Sequence, residues 1–261
     1  MICLIKLKNR FINNLIFKPS KDVFGVQDIV LADRYKITEN NILTVENSIV
    51  ETIKLEPKNS TVKKIGTIIM FAGNGENIIN TANSEIMEFS KQGFNIILFS
   101  YRGYNNSKGK PTLKGAILDS KTVIEYYSNK LDGNIFLYGR SLGGSILLRT
   151  LKELKNKSKI KKIIIEGSFL SFRDLAVEMF PFIGKLLMSD KYSANQLDKN
   201  CNIPMLIIHS KDDEIIHFKY GKALHRYFIN SQLETTSGNH TEYVKKSENR
   251  NFINKFMENS P

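Results

Sequence analysis

Short, nearly continuous apolar runs recur along the chain and are separated by longer amphipathic stretches. Runs of this length and composition are typical of parallel strands that are buried on both faces of a sheet. The predicted strands are IGTIIMF at 65–71, NIILF at 95–99, NIFL at 134–137, KIII at 162–165 and PMLII at 204–208. A further strand is predicted at 232–236.

The stretches between these runs predict helices. The apolar residues between 113 and 128 fall on one helical stripe, and Gly93 is a natural stop for the helix before them. The predicted helices cover 77–91, 113–128, 142–155, 218–229 and 242–257. Strand and helix therefore alternate from residue 65 onward. This alternation predicts an α/β fold, with a mostly parallel sheet and helices on both faces, in one domain.

Upstream of residue 65 the pattern changes. Residues 42–55 carry β-branched side chains in partial alternation and predict a strand or a hairpin, and residues 56–60 predict a turn. We therefore assign residues 41–261 to the α/β domain and residues 1–40 to an N-terminal segment.

The first 17 residues are basic and partly apolar, but they lack the unbroken apolar stretch and the cleavage site of a signal peptide. As a helix they place Ile5, Ile12, Leu15 and Ile16 roughly on one side. Such a helix fits either packing on the domain or lying on a membrane surface. Packing is the favoured alternative.

A stretch at 169–200 interrupts the alternation, because it is too long for a simple crossover and is rich in large apolar side chains. It fits one helix and a loop packed on the sheet. It also fits a short lid over an apolar pocket, and the two interpretations are compatible.

Composition changes this picture little. The chain has 261 residues, of which 41% are hydrophobic and 25% charged, as in an ordinary globular protein. The formal net charge is +12, but the lysines are scattered, so no nucleic-acid partner is predicted. Cys3 and Cys201 lie far apart, which predicts neither a disulfide framework nor a metal site and fits a cytoplasmic location. No run of 18 apolar residues exists, so no transmembrane helix is expected.

The stretch YGRSLGGS at 138–145 places a serine among glycines between a predicted strand and a predicted helix. It fits the pattern G-x-S-x-G, in which a tight strand-to-helix turn exposes a nucleophilic serine at the top of the sheet. Ser141 is therefore the candidate nucleophile. The helix start behind it directs the backbone N–H of Leu142 toward a developing oxyanion. The competing interpretation is a glycine-rich turn that merely packs a helix on a strand.

A serine nucleophile needs a base, and the base needs an acid that orients it. In a sheet of this kind the order along the chain is nucleophile, acid and histidine, each after a strand. His240 follows the last predicted strand, and Asp213 follows the strand at 204–208. Asp212 and Glu214 are rivals for the acid. Structural roles suit the other histidines, which are His209, His217 and His225.

The loop FAGNGE at 71–76 follows the strand at 65–71. Its glycines allow backbone N–H groups to approach a substrate oxygen closely. We assign the N–H of Asn74 as the second oxyanion donor. A plain turn is the alternative, and no dinucleotide or P-loop pattern follows that would favour phosphate binding.

Several stretches together resemble the α/β-hydrolase superfamily, and more narrowly its protein-depalmitoylase-like and serine-aminopeptidase-like branch. They are FAGNGENI at 71–78, SYRGYNNSKGKPT at 100–112, YGRSLGG at 138–144, IPMLIIHSKDDEII at 203–216 and SGNHTEY at 237–243. The resemblance implies a triad of Ser141, Asp213 and His240. It also implies no cofactor, no catalytic metal, and activity on an ester, thioester or amide bond.

The sequence departs from that family at three positions. Ala72 stands where a histidine is common before Gly-Asn, which puts in question how the oxyanion loop is supported. Asn105 and Asn239 stand where glycines are usual. Asparagine adopts left-handed backbone angles more readily than most residues, so these two are mild departures.

The sequence therefore predicts a serine hydrolase of carboxylesterase or thioesterase type that forms an acyl-enzyme. Its expected partner is a small-molecule or lipid-like acyl substrate, or an acylated protein, with membrane-surface contact as a further expectation. The alternatives are a peptidase acting on small peptides and a non-catalytic binding protein with the same fold.

Overall fold

A computed structural model describes residues 11–19, 25–30, 32–58, 63–83, 89, 92–182, 184, 188–189, 192–242 and 247–258. Within these ranges, eight strands form one sheet: β1 (Tyr35–Leu43), β2 (Ile49–Pro57), β3 (Gly66–Phe71), β4 (Phe94–Phe99), β5 (Asn134–Arg140), β6 (Ile160–Glu166), β7 (Met205–Ser210) and β8 (Ser231–Thr236). The α-helices are α1 (Ile78–Ala82), α2 (Leu113–Lys130), α3 (Leu142–Glu153), α4 (Phe172–Met179), α5 (Lys219–Tyr227) and α6 (Ser247–Glu258). Single 3-10 turns lie at Val26–Asp28, Ala32–Arg34 and Ala194–Gln196, and residues 11–16 are helical.

The strand order is β1-β2-β4-β3-β5-β6-β7-β8. β1 and β2 form an antiparallel hairpin, β2 runs antiparallel to β4, and all later neighbours are parallel. The predicted mostly parallel sheet is confirmed. Its parallel part brings the carboxyl ends of β3, β5, β7 and β8 to one edge, where ligands bind in folds of this type.

The two faces of the sheet carry separate apolar clusters. Along β3, Ile69 and Phe71 contribute to one cluster, while Ile68 and Met70 contribute to the other. Residues of α2, α3 and α5 cover the first face, and residues of α1 and α6 cover the second. This arrangement confirms helices on both faces, and it explains why the inner parallel strands carry near-continuous apolar runs, whereas the edge strand β8 does not.

Side-chain caps mark several helix starts. Thr112 accepts a hydrogen bond from the Gly115 N–H at the start of α2, and Ser171 accepts one from the Asp174 N–H at the start of α4. The predicted helix at 77–91 begins as α1, which ends at Ala82, and most of its remaining residues lie outside the described residues.

The prediction of a turn at 56–60 is wrong for its first two residues. Glu56 and Pro57 belong to β2, because they pair with Lys36 and Tyr35 of β1. β1 thus begins at Tyr35 and crosses the boundary that the sequence suggested at residue 40.

The N-terminal helical segment packs on the sheet domain where it is described. Ile12, Ile16 and Phe17 are buried in the cluster of the first face, while Phe11 and Leu15 are largely exposed. Ile5, which the sequence placed on the same side, lies outside the described residues.

Candidate active site

The turn between β5 and α3 is built around Ser141. This residue has φ 50° and ψ −121°, a backbone conformation that residues other than glycine rarely adopt. Its N–H donates to the Glu166 carbonyl at 2.8 Å, and its carbonyl accepts from Ser168 Oγ at 2.7 Å. Bonds to the neighbouring strand end therefore hold the unusual backbone in place.

The glycines of this turn are required by close backbone contacts. A Cβ on Gly143 would lie 2.2 Å from the Phe71 carbonyl oxygen and 2.5 Å from that of Ala72. A Cβ on Gly139 would lie 2.7 Å from the Cα of Gly144. The first turn of α3 consequently packs directly on the loop that follows β3, with no side chain between them.

Three predicted side chains meet above this turn. Nε2 of His240 lies 3.0 Å from Ser141 Oγ, and its Nδ1 lies 2.7 Å from Asp213 Oδ2. Asp213 and His240 are buried, whereas Ser141 is partly exposed. An ionised carboxylate can only accept, so the ring proton sits on Nδ1 and Nε2 is left to accept the serine proton.

Asp213 is held in its ionised form. Its Oδ1 accepts from the N–H groups of Ile215 at 3.0 Å and Ile216 at 2.7 Å. Burial alone raises the pKa of this carboxyl, but the hydrogen bonds from His240 and the Ile216 N–H outweigh burial and keep the pKa below its usual value. The three side chains therefore lie in the hydrogen-bonded order that a nucleophile, a base and an orienting carboxylate require.

The two rival acids bind the backbone of the histidine loop instead of its ring. Asp212 Oδ2 accepts from the Gly238 N–H at 3.0 Å, and Glu214 Oε2 accepts from the His240 N–H at 2.9 Å. Of the three consecutive acidic residues, Asp213 is the one that contacts the imidazole.

The other histidines have separate partners. His209 is fully buried, and its Nε2 faces the Ile216 carbonyl at 2.6 Å. Nδ1 of His217 lies 2.6 Å from Glu178 Oε1, and Nδ1 of His225 lies 2.9 Å from Ser231 Oγ. These contacts agree with the structural roles expected for all three.

Asn74 lies in the turn after β3. The contact of Gly143 with the Phe71 and Ala72 carbonyls brings this loop against the helix that begins with Leu142. The Asn74 side chain is engaged by Tyr104 and by the main chain of residues 16 and 18.

A second link, which the sequence interpretation missed, joins this loop to the serine turn. Glu76 Oε2 accepts from the Gly73 N–H at 2.6 Å, and Glu76 Oε1 pairs with Arg140 Nη1 at 2.9 Å. Arg140 is the residue before Ser141. No motif marks such a pair, since the two residues lie 64 positions apart in the sequence.

Comparison with known proteins now identifies the superfamily. A family model described as "Serine aminopeptidase, S33" matches residues 63–192. The solved structure of the Pyrococcus furiosus esterase Pf2001 superposes with a TM-score of 0.73 at 17% identity, over 92% of this chain and 98% of that one. The chain belongs to the α/β-hydrolase superfamily. In this α/β-hydrolase the elements around Ser141 fall within the matched residues.

Relatives in sequence agree with this assignment. The uncharacterized protein YfhR of Escherichia coli O157:H7 is 30% identical over 165 residues, which are 62% of this chain and 57% of that protein. The lysophosphatidylserine lipase ABHD12 of Danio rerio is 26% identical over 188 residues, which are 66% of this chain and 49% of that protein. The α/β-hydrolase thus spans about half the length of these relatives.

Along the described parts of this α/β-hydrolase, no helix combines the length and the apolar character needed to cross a bilayer.

Proposed function

We propose that the chain is a serine hydrolase that cleaves an acyl ester or thioester. The observation that carries this proposal is the continuous hydrogen-bonded line from Asp213 through His240 to Ser141, with separations of 2.7 and 3.0 Å. A serine hydroxyl becomes a competent nucleophile when a positioned base removes its proton during attack.

The reaction proceeds in two halves. Ser141 Oγ attacks the substrate carbonyl as its proton passes to Nε2 of His240, and the backbone N–H groups of Leu142 and Asn74 hold the resulting oxyanion. The imidazolium then protonates the leaving alcohol or thiol, and an acyl-enzyme ester remains on Ser141. Water, deprotonated by His240, attacks this ester, and the imidazolium returns the proton to Ser141 Oγ as the acid leaves.

An apolar acyl group is the preferred substrate. Met179, Phe180 and Phe182 are exposed on the proposed lid segment at 169–200, where they can contact an acyl chain. A relative named as a lysophosphatidylserine lipase also supports an acyl substrate. The partners we propose are lipid-like acyl compounds or acylated proteins, met in the cytoplasm or at a membrane surface.

The test measures hydrolysis of p-nitrophenyl esters of increasing chain length, with a matched acyl thioester, by wild type and Ser141→Ala. We expect wild type to turn over and to be labelled by a fluorophosphonate. We expect Ser141→Ala to lose labelling and at least about 10³-fold in kcat. His240→Gln should lose a similar factor, while the matched control His225→Gln, at an exposed histidine of α5, should keep wild-type activity. A folded wild type that neither labels nor hydrolyses would favour the non-catalytic alternative.

A peptidase is the second candidate, and the description of the matching family model as a serine aminopeptidase favours it. Aminoacyl p-nitroanilides offered beside the esters separate the two. A higher kcat/KM for the anilides, lost in Ser141→Ala, would replace the esterase proposal with the peptidase.

A further inference from the structure

The side chain of Asn74 is tied to the N-terminal segment. Its Nδ2 donates to the Ile16 carbonyl at 2.9 Å, and its Oδ1 accepts from the Lys18 N–H at 2.9 Å. Oδ1 also accepts from the Tyr104 hydroxyl at 2.8 Å. Both ends of the amide are therefore engaged, by chain segments 56 to 58 residues upstream and 30 residues downstream.

The anchoring points are themselves firmly packed. Ile16 and Phe17 are buried in the apolar cluster of the first face. The Phe17 and Tyr104 rings meet edge to face, with their centroids 6.5 Å apart. Burial raises the pKa of the Tyr104 hydroxyl, so this group stays protonated and continues to donate. The N-terminal segment thus offers Asn74 a fixed carbonyl and a fixed N–H.

Among the described residues, few other contacts hold the tip of this loop. Asn74 and Gly75 are exposed and form a turn, and Gly75 has φ +76°. The Glu76 carboxylate holds the neighbouring Gly73 N–H, on the side of the loop that faces Arg140. The Asn74 amide holds the opposite side, toward residues 16–18.

We propose that residues 16–18 of the N-terminal segment position the second oxyanion donor, through the side chain of Asn74. The inference rests on the proposed function, in which the Asn74 N–H binds the oxyanion. It makes Asn74 a positioning residue through its side chain as well as a donor through its backbone. It also answers the question that Ala72 raises, because the loop takes its support from the N-terminal segment.

The amide of Asn74 donates to the Ile16 carbonyl through Nδ2 and accepts from the Lys18 N–H through Oδ1. Asn74→Asp keeps an acceptor for Lys18 N–H and Tyr104 but sets a carboxylate oxygen against the Ile16 carbonyl. Asn74→Ala removes all three bonds and keeps the backbone N–H that catalysis uses. Because oxyanion donors act only when they are correctly placed, a shift of the loop lowers kcat more than substrate affinity.

The matched control is Asn83→Ala. Asn83 is also exposed, accepts from the Val30 N–H at 2.6 Å and donates to the Asp28 carbonyl at 2.8 Å. It ties upstream main chain in the same way, but at the far end of α1. Comparing Asn74→Ala with Asn83→Ala therefore separates a loss of positioning at the oxyanion loop from a general loosening of the N-terminal region.

We measure kcat and KM for the preferred p-nitrophenyl ester, together with thermal unfolding of each variant. Asn74→Ala should lower kcat about 10- to 100-fold with KM within about twofold of wild type. Asn83→Ala should leave kcat within about twofold. Tyr104→Phe, which removes one of the three bonds and retains the ring, should give an intermediate loss of kcat and covers the case in which Asn74→Ala fails to fold.

Wild-type kcat in both Asn74→Ala and Tyr104→Phe overturns the inference, and so does a rise in KM alone. Equal losses in the Asn74 and Asn83 variants overturn it too, because loosening would then be general. A wild type that neither labels nor turns over would refute the proposed function itself, which is a separate and recognisable result.

Discussion

Asp213 has two imidazole rings close by, and they differ in what they can do. Nδ1 of His240 is 2.7 Å from Asp213 Oδ2, whereas Nε2 of His209 is 3.6 Å from the same oxygen and 2.6 Å from the Ile216 carbonyl. Burial lowers the pKa of the His209 imidazole. The Ile216 hydrogen bond and the Asp213 charge raise this pKa by less, so it lies below its ordinary value. His209 therefore stays neutral and leaves the carboxylate to His240.

This difference predicts a pH dependence of stability that belongs to His209. Below the ordinary histidine pKa of 6.5, His209 binds a proton in the unfolded chain but not in the folded chain, where its pKa is lower. The free energy of unfolding should therefore fall as pH drops from about 7 to 5, by up to about 1.4 kcal/mol per pH unit from this group. The lowered pKa of Asp213 acts only below about pH 3.8 and stays outside this window.

His209→Gln keeps an N–H for the Ile216 carbonyl and removes the titration. We expect urea unfolding of this variant to show a flatter pH dependence between 7 and 5 than wild type. His225→Gln, at an exposed ring, serves as the control and should keep the wild-type slope. An unchanged slope in His209→Gln would mean that another group causes the loss of stability.

At the scale of elements, α3 also holds the segment at 169–200 in place through the side chain of Arg149. Arg149 on this helix is buried, and its Nη2 donates to the carbonyls of Leu170, Tyr192 and Ser193 at 3.0, 3.2 and 3.3 Å. Burial lowers the pKa of the guanidinium to about 10. One side chain thus holds both ends of the segment at 169–200 against the helix of the active site.

A second contact holds this segment from the other direction. Glu178 at the end of α4 accepts from His217, Lys219 and Tyr220. Partial burial raises the pKa of Glu178, but these donors lower it to about 2. The segment is therefore fastened at its ends and along α4, and the exposed apolar residues that follow α4 form its outer part.

Removing the guanidinium should loosen the segment. Arg149→Ala removes the guanidinium that donates to the carbonyls of Leu170, Tyr192 and Ser193, and we expect it to lower the free energy of unfolding by about 2–4 kcal/mol. Limited proteolysis should then cut within 169–200 faster than in wild type. Lys152→Ala is the control, since exposed Lys152 lies on the same helix and contacts the Asn195 carbonyl at 3.4 Å. Equal stability of the two variants would contradict the fastening role.

At the scale of the whole molecule, the sequence predicts the sheet well because burial on both faces demands continuous apolar runs. The serine turn is also predictable, because the G-x-S-x-G pattern lies between an apolar run and a helical stretch that are adjacent in the sequence. The Asn74 and Arg149 contacts are not predictable, because most of their partners are main-chain carbonyls and N–H groups, which almost any residue type presents.

The N-terminal segment belongs to the same folding unit as the sheet. Ile12 is 1% exposed within the main apolar cluster, whereas Leu15, one turn away, is 38% exposed. Ile12→Ala should lower the free energy of unfolding by about 2–4 kcal/mol, because it leaves a cavity. Leu15→Ala should change it by less than about 1 kcal/mol. Urea denaturation compares the two, and similar small effects would show that the segment docks only loosely.

During translation, Ser141 is added to the chain 99 residues before His240. β8, the last described strand, carries the histidine loop and pairs only with β7. A growing chain therefore holds its nucleophile through much of translation without the proposed base. Under the proposed function, nascent or prematurely terminated copies that lack β8 should be hydrolytically silent. Acyl compounds should then meet an active site only after β8 has paired with β7, so we expect completion of the sheet to be the activating step.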